Sequence, residues 1–348
     1  MSADLATQFT LQLLSKAPKN TLWCVDENIS QIPLPSAGHQ ALTNRFDLYQ
    51  QLQARNWPVV FNDFDFSEIE PHSLEAMVVR LPKEKALAHH LINQAAISLA
   101  PEGLLYLIGD KSEGIRGFNK RAQTRLGGTL EEQKISGGLW LGQISAAPTT
   151  IGQPLDDQDY PLPRQVEERN GFVFISKPGL YGWQKVDQGS QYLVESLPKM
   201  LNLTLPISGK LLDLGCGYGY LSMLTAGSLT ELTCTDNNAA AIKCCETNLS
   251  RIGLKARVIA SNAGDLIEDS FDIVLCNPPF HSGFSTQTDL TERFVAAAAR
   301  LLLPSGQACF VVNKHIGLEQ KAQKFFGKIS LHSENSHFKL IHLSQPKH

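Results

Sequence analysis

Three things are missing from this chain of 348 residues: a Cys-x-x-Cys pair among its seven cysteines, an excess of positive charge, and any run of ~18 apolar residues such as a bilayer span requires. An odd number of irregularly spaced cysteines argues against a disulfide framework, suits a reducing compartment and offers no metal-ligand spacing. A cytoplasmic protein without a metal is therefore expected. Lys and Arg number 31 against 34 Asp and Glu, a net charge of −3, so any nucleic-acid binding has to come from a local basic surface. The first thirty residues, interrupted by Asp4, Lys16 and Lys19, carry no export signal, and neither export nor membrane association is expected.

What is present fills two domains. A hydrophobic content of 43% at this length supports two cores, since domains run to roughly 100–200 residues. Between Ala147 and Asn170, four prolines (148, 154, 161, 163) and three aspartates (156, 157, 159) disfavour helix and strand. This predicts a first domain over 1–150, a linker over 151–170 and a second domain over 171–348. The second opens with the strand-like Phe172–Ser176, a turn at Pro178-Gly179 and a helix from about Gly189 to Leu201.

From Lys210 onward, strands and helices alternate. Strands are expected at Lys210–Leu214, Leu232–Thr235, Ala256–Ala260, Phe271–Cys276 and Ala308–Val312, with helices at Ala239–Ile252 and Leu290–Leu303 between them. That alternation implies an α/β fold with a doubly wound, mostly parallel sheet. The first half carries a weak echo. Ala76–Lys83 resembles Asp272–Pro279, and Leu99–Ile108 resembles Leu302 to Val312, with a longer loop, His281 to Leu290, in the second copy. Any two α/β segments share a strand, turn and helix, which is the plainer account. If the echo is real, Leu81 stands where Asn277 does and no glycine cluster follows Leu22–Asp26, so the first copy has lost its chemistry.

The segment Asp213-Leu-Gly215-Cys-Gly217-Tyr-Gly219 follows one expected strand and precedes a helix, and its glycines permit a sharp turn and close backbone approach to a ligand. A dinucleotide fingerprint would need glycine at Tyr220, and a phosphate loop would need Gly-Lys-Ser/Thr. Neither is there. Asp236 ends the next strand, where a carboxylate can accept hydrogen bonds from a ribose diol. The alternative is a packing turn with a helix N-cap at Asp236 or Asn237. A loop bearing carboxylates and no Lys or Arg suits the cationic sulfonium of S-adenosylmethionine better than a dinucleotide. Asn262, past the third strand, is placed for an adenine edge or for ordinary turn chemistry.

Phe271–Cys276 runs straight into Asn277-Pro278-Pro279-Phe280 at the carboxyl edge of the sheet, where ligands of this architecture bind. An exocyclic amine has its lone pair delocalised and is a poor nucleophile until its hydrogens are held. The Asn277 side-chain carbonyl and the Pro278 main-chain carbonyl can accept them, while two prolines stiffen the turn and remove competing donors. Phe280 would stack on a flipped base, worth ~1–3 kcal/mol against an unstacking cost of similar size. A strand-ending Pro-Pro turn with a core Phe is the plain alternative. His281 either assists or is simply solvated.

On these residues the chain resembles the two-domain bacterial ribosomal RNA guanine-N2 methyltransferases, in particular the small-subunit methyltransferase C family. The resemblance rests on Asp187-Gln-Gly189-Ser190, Asp213–Gly219, Asn277–Gly283, Leu81-Pro-Lys83 and Gly109–Arg116. It departs mildly at Val186, where the family has Leu, and at Tyr218. It implies two tandem Rossmann-like class I methyltransferase domains, the N-terminal one degenerate and concerned with RNA binding and support. It also implies S-adenosyl-L-methionine as cofactor, Asp187, Gly189 and Ser190 among its contacts, and methylation of N2 of a guanine, guanosine 1207 of 16S rRNA, within the 30S subunit or an assembly intermediate. A monomer is expected. Basic residues that would meet RNA, or that merely form solvated helix faces, are Lys111, Arg116, Lys120, Arg121 and Arg125 in the first domain, and Lys314, Lys321, Lys324 and Lys328 in the second. Competing readings are a large-subunit guanine-N2 enzyme, a protein-glutamine N5 enzyme, which usually has Tyr in place of Phe280, a DNA adenine-N6 enzyme, and a silent RNA-binding assembly factor.

Overall fold

A computed structural model describes every residue except 1–4, 27, 28, 30, 149–151, 170, 181, 280–286 and 348, with the backbone alone at 287–289. The chain divides into two compact units, Met1–Leu162 and Pro163–His348.

In the first unit, α1 (Leu5–Leu14), β1 (Thr21–Val25), β2 (Gln40–Thr43), α2 (Phe46–Ala54), β3 (Val59–Phe61) and β4 (Leu74–Arg80) lead into α3 (Lys85–Ser98) and β5 (Leu99–Asp110). A 3-10 turn at Lys111–Glu113, then α4 (Ile115–Leu126), β6 (Gly127–Ser136) and β7 (Leu139–Ala146) complete it. The strands form one sheet in the order β3-β2-β1-β4-β5-β7-β6, with β7 antiparallel to both neighbours.

The second unit opens with a separate hairpin, β8 (Arg164–Arg169) and β9 (Phe172–Ser176), followed by α5 (Gln188–Leu201), β10 (Ile207–Leu214), α6 (Tyr220–Thr225), β11 (Ala226–Asp236) and α7 (Ala239–Arg251). Next come β12 (Ala256–Ala260), β13 (Phe271–Cys276), α8 (Gln287–Leu301), β14 (Leu302–Asn313), α9 (Leu318–Ala322), β15 (Phe326–Glu334) and β16 (Phe338–Pro346). Its order, β12-β11-β10-β13-β14-β16-β15, repeats that of the first unit. Both units are α/β with a doubly wound, seven-stranded and mostly parallel sheet, as expected.

Apolar runs build the second sheet because both of its faces are covered. Along β13, Ile273 and Leu275 face a core shared with α5, α6 and α7, while Val274 and Cys276 face another shared with α8. The chain winds outward from β10 to β12 and then returns to β13 on the other side of β10. The carboxyl ends of β10 and β13 are therefore adjacent at a switch point, the place where ligands of this architecture bind.

The structure corrects three expectations. Arg164–Arg169 is a strand, and 152–162 is packed onto the first unit, so composition alone misread the region. Tyr160 is fully buried, stacked on His90 and bonded to Asp63, while Asn93 and His89 hold the backbone of Leu155 and Asp156. The helix expected to reach Leu303 ends at Leu301, where β14 begins and takes in Pro304 at its outer end. The third correction concerns the echo. β5 and β14 have equal length, the same burial pattern and the same register break against β4 and β13. Val79 pairs with Leu107 as Cys276 pairs with Phe310, so the counterpart of Asn277 is Arg80, not Leu81. By the same register Trp23 takes the place of Asp213, and Thr43 that of Asp236.

Arg80 is buried and forks onto both carboxylate oxygens of Glu113 (2.7 and 2.8 Å), also donating to the carbonyls of Leu81 and Ile108. Glu113 in turn accepts from the Asp110 amide in a capping box. An ion pair thus fills the strand end that in the second unit carries Asn277. Arg80→Leu should cost about 2–4 kcal/mol in urea unfolding, somewhat under the full cost of breaking a buried pair because Glu113 stays partly exposed, and Arg80→Leu with Glu113→Leu should recover most of it.

Candidate active site

The glycine loop leaves the end of β10 and stays close to the sheet. The amides of Gly215 and Cys216 both donate to the Thr235 carbonyl (2.9 Å each), so the loop folds back over the end of β11. Gly217 (φ 55°) donates its N–H to Asp236 Oδ2 (3.0 Å), and a Cβ there would meet nothing within 4 Å. Open space begins at this glycine. Gly219 (φ 87°) starts α6, and a Cβ on it would come within 3.0 Å of Cys245 Sγ, so packing as well as φ keeps it glycine.

Asp236 joins the loop to the next helix, its other oxygen accepting from the Asn238 amide (2.9 Å). The N-cap of α7 is Asn238, which accepts from Ala240 N, rather than Asp236 or Asn237. The Ser261 amide donates to the Asp236 carbonyl (3.0 Å), which brings the half-exposed Asn262 to the same edge, in a turn where its own amide donates to Asp265. Asp236, Asn262 and the loop thus share one rim.

Asp213 is elsewhere. Its side chain is fully buried, with Oδ2 taking both the amide and the hydroxyl of Ser222 (3.1 and 2.6 Å) and Oδ1 out of solvent without a partner among the described residues. Burial, reinforced by Cys234 and Asp236, pushes its carboxyl up to about 8 against the opposing pull of the Ser222 bonds. It anchors α6 beneath the loop.

Asn277 is the most constrained member. Its amide nitrogen donates to Asp187 Oδ1 (2.7 Å) and to Ser190 Oγ (2.8 Å), while its Oδ1 is shielded from solvent and has no hydrogen-bond partner among the described residues. Asp187 is the N-cap of α5 and also accepts the Ser190 amide (2.8 Å), so the helix start is the clamp that holds the asparagine. The orientation is chemically forced. An ionised carboxylate only accepts, and a flipped amide would set a carbonyl oxygen against it. Gly189 leaves room for this, since a Cβ would lie 3.0 Å from Asp187 Oδ1 and 3.1 Å from the Phe338 ring. Pro278 is buried and Pro279 exposed; Phe280 and His281 lie outside the described residues.

Sequence reasoning missed Asn248, a fully buried residue of α7. It accepts the Ile175 amide and donates to the carbonyls of Ile175 and Tyr218 (2.8, 2.8 and 2.7 Å), tying β9 to the glycine loop. An asparagine on the apolar face of an amphipathic helix was the available signal. Glu167 of β8 likewise accepts the Val186 amide (2.8 Å), beside Asp187.

Residues 171–342 match the family model described as methyltransferase small domain, and residues 8–149 match its N-terminal companion. A ribosomal RNA small subunit methyltransferase C of Shewanella halifaxensis is 31% identical over 272 residues, covering 77% of this chain and 76% of that one. The chain belongs to the ribosomal RNA small subunit methyltransferase C family. A second member of the family, from Shewanella oneidensis, is 30% identical over 282 residues, 79% of each chain. Among solved structures, a T. thermophilus 16S rRNA N2 G1207 methyltransferase in complex with AdoMet and guanosine superposes with a TM-score of 0.83 at 24% identity, over 99% of this chain and 94% of that one. That likeness establishes the two-unit fold. The seven cysteines are all free and buried, and no helix among the described residues is long and apolar enough to cross a membrane.

The basic residues expected to meet RNA behave unequally. Lys111, Lys120 and Arg121 are exposed on the first unit, and Arg116 lies over the Trp140 ring (5.0 Å) and against Glu132 (3.3 Å). Arg125 is not a surface group, being buried and bonded to Asn93 and to the Gly152 carbonyl.

Asp213 gives the enzyme a specific response to pH. A carboxyl whose folded value lies above its unfolded value contributes stability that is complete below about 3.8 and lost as pH rises through about 8. Asp213→Asn should therefore flatten the decline in urea midpoint between pH 5 and pH 9 (roughly the span of that titration), and an unchanged slope would mean the carboxyl titrates normally.

Proposed function

We propose that this protein transfers a methyl group from S-adenosyl-L-methionine to the exocyclic N2 of a guanine in 16S rRNA, guanosine 1207, with the small ribosomal subunit or an assembly intermediate as substrate. The observation that carries this reading is Asn277, whose amide hydrogens are both committed and whose carbonyl oxygen, at the switch point of the sheet, has no partner among the described residues. Membership of the methyltransferase C family and the guanosine held by the T. thermophilus protein support the choice of acceptor.

The residues present fit the cofactor. Gly217 opens onto free space, Asp236 offers carboxylate lone pairs beside it for a diol, and Asn262 shares that rim. No Lys or Arg stands in the loop, which suits a ligand with a sulfonium and no phosphate. When bound, S-adenosylmethionine supplies an electrophilic methyl group.

The protein's own task is to prepare the nucleophile. Asn277 Oδ1 accepts one hydrogen of the exocyclic amine and the Pro278 carbonyl the other, which draws the nitrogen toward a tetrahedral form and directs its lone pair. Asp187 and Ser190 act through Asn277 by fixing the amide plane. Catalysis is then positional and electrostatic, with the surplus proton lost to solvent after transfer and no dedicated base required. Phe280 stacks on the extruded base. With Trp23, Thr43 and Arg80 in place of Asp213, Asp236 and Asn277, the first unit is assigned to support and RNA binding and the second to catalysis.

Incubation with tritiated S-adenosylmethionine and, separately, 30S subunits, 50S subunits, free rRNA, DNA and release factors tests the substrate: label is expected in 16S rRNA, and label only elsewhere would transfer the assignment to that substrate. Asn277→Ala should reduce kcat by about 100- to 1,000-fold, on the scale of losing one oriented catalytic group, with cofactor affinity changed only a few-fold. Asp236→Ala should weaken cofactor binding roughly 10- to 100-fold by calorimetry, the worth of hydrogen bonds to a charged group. Unchanged affinity would remove it from the ribose.

A further inference from the structure

Resting on that reading, we infer that Phe338 is a substrate-contacting residue, the wall against which the target nucleoside or its neighbour stacks, flanked by a ledge of exposed Lys314, His315 and His337 that takes the adjoining phosphates.

The strand order decides which side the RNA approaches from. The glycine loop, Asp236 and Asn262 occupy the ends of β10, β11 and β12, on one side of Asn277. The cofactor half of the crevice is thereby assigned. The acceptor has to reach Asn277 from the other side, over the ends of β14 and β16. There β14 runs past the last residue of β13, and its final residue, Asn313, pairs with Phe338, the first of β16.

Phe338 is held in place from two directions. The ring seats against Gly189, at the N-terminus of the helix whose Asp187 and Ser190 clamp Asn277, which puts the ring within about 6 Å of Asp187 Oδ1. The preceding turn is pinned by Asn335, whose Oδ1 accepts the amides of His337 and Phe338 (2.9 and 2.8 Å) and whose own amide donates to the Phe338 carbonyl (2.9 Å). A partly buried aromatic ring, packed on the rim of the core shared with α5 and fixed this way, offers its remaining face for stacking at small entropic cost. The Lys314 amide donates to the His337 carbonyl (2.8 Å), joining the ledge to the turn. The ion pair of Lys314 with Glu334 is exposed on both sides and yields readily to a phosphate.

The first unit supplies the contrast. The Lys111 amide makes the same bond to Gly138 (2.8 Å), and Asp110 pairs with Leu139. The two positions after that bond are thus Gly138 and a buried Leu139 where the second unit has His337 and Phe338. The backbone is shared, but at these two positions the second unit carries an imidazole and an aromatic ring where the first has glycine and a buried leucine, its Trp140 lying one residue further along under Arg116.

The test compares wild type, Phe338→Leu, Phe338→Tyr and Lys314→Ala/His337→Ala in methyl transfer to 30S subunits. Phe338→Leu keeps an apolar contact with Gly189 while removing the π face, so its melting temperature should stay within a few degrees. Its KM for the subunit should rise about tenfold, a typical stacking loss, with cofactor affinity unchanged and Phe338→Tyr restoring activity. The double variant should raise KM in a way that flattens the dependence of KM on salt, as lost phosphate contacts do. Active wild type with Phe338→Leu at wild-type KM overturns the inference, as does equal loss in the Leu and Tyr variants. Inactive wild type would instead overturn the proposed function.

Discussion

The second unit is organised around one amide. Asn277 gives both of its hydrogens to the start of α5, and this single commitment leaves its carbonyl oxygen shielded and without a hydrogen-bond partner among the described residues. Much of the surrounding structure exists to keep that arrangement. Asp187 is held by capping its own helix, Gly189 yields the space, and the switch of strand order between β10 and β13 sets Asn277 at the opening rather than inside the sheet. An asparagine free to rotate would offer donor and acceptor equally. Here the neighbouring carboxylate permits one orientation only.

The two units show how the same backbone carries different side chains at equivalent strand ends. In one, an asparagine leaves an acceptor unsatisfied; in the other, an arginine and a glutamate satisfy each other and the adjacent carbonyls. In the first unit both carboxylate oxygens of Glu113 are satisfied, although Arg80 Nε stays buried without a hydrogen-bond partner among the described residues. Among the described residues of the second unit, Asn277 and Asp213, like Ser176, each keep a shielded oxygen without a partner, and such groups cost stability unless a ligand or function accounts for them.

The sequence made the architecture of the second unit legible because its central strands are buried on both faces and so appear as apolar runs. Phe271–Cys276 was readable to the residue on that ground, whereas Ala256–Ala260, an edge strand with no fully buried residue, was readable from its short apolar and β-branched run. β15 was not, since Lys328, His332 and Glu334 break its pattern at a sheet edge that is half in water. At the site, the glycines, Asp236 and Asn277 were visible as a motif, whereas the clamp from Asp187 and Ser190 joins residues nearly ninety positions apart and no local pattern encodes it. Matching motifs by similarity put Leu81 opposite Asn277, because the shared proline drew the alignment one residue away from the true register. Hydrogen-bonded pairing corrects this, since register is a property of two strands.

Asn248 has a consequence for motion. The hairpin of β8 and β9 is not part of the seven-stranded sheet, yet one fully buried side chain bonds it to the glycine loop from the last turn of α7. Hairpin and loop cannot open separately without stranding that amide away from water. Local unfolding here is therefore a joint event: the amides of Ile175 and of the loop should exchange their hydrogens with a common free energy, as parts of one cooperative unit.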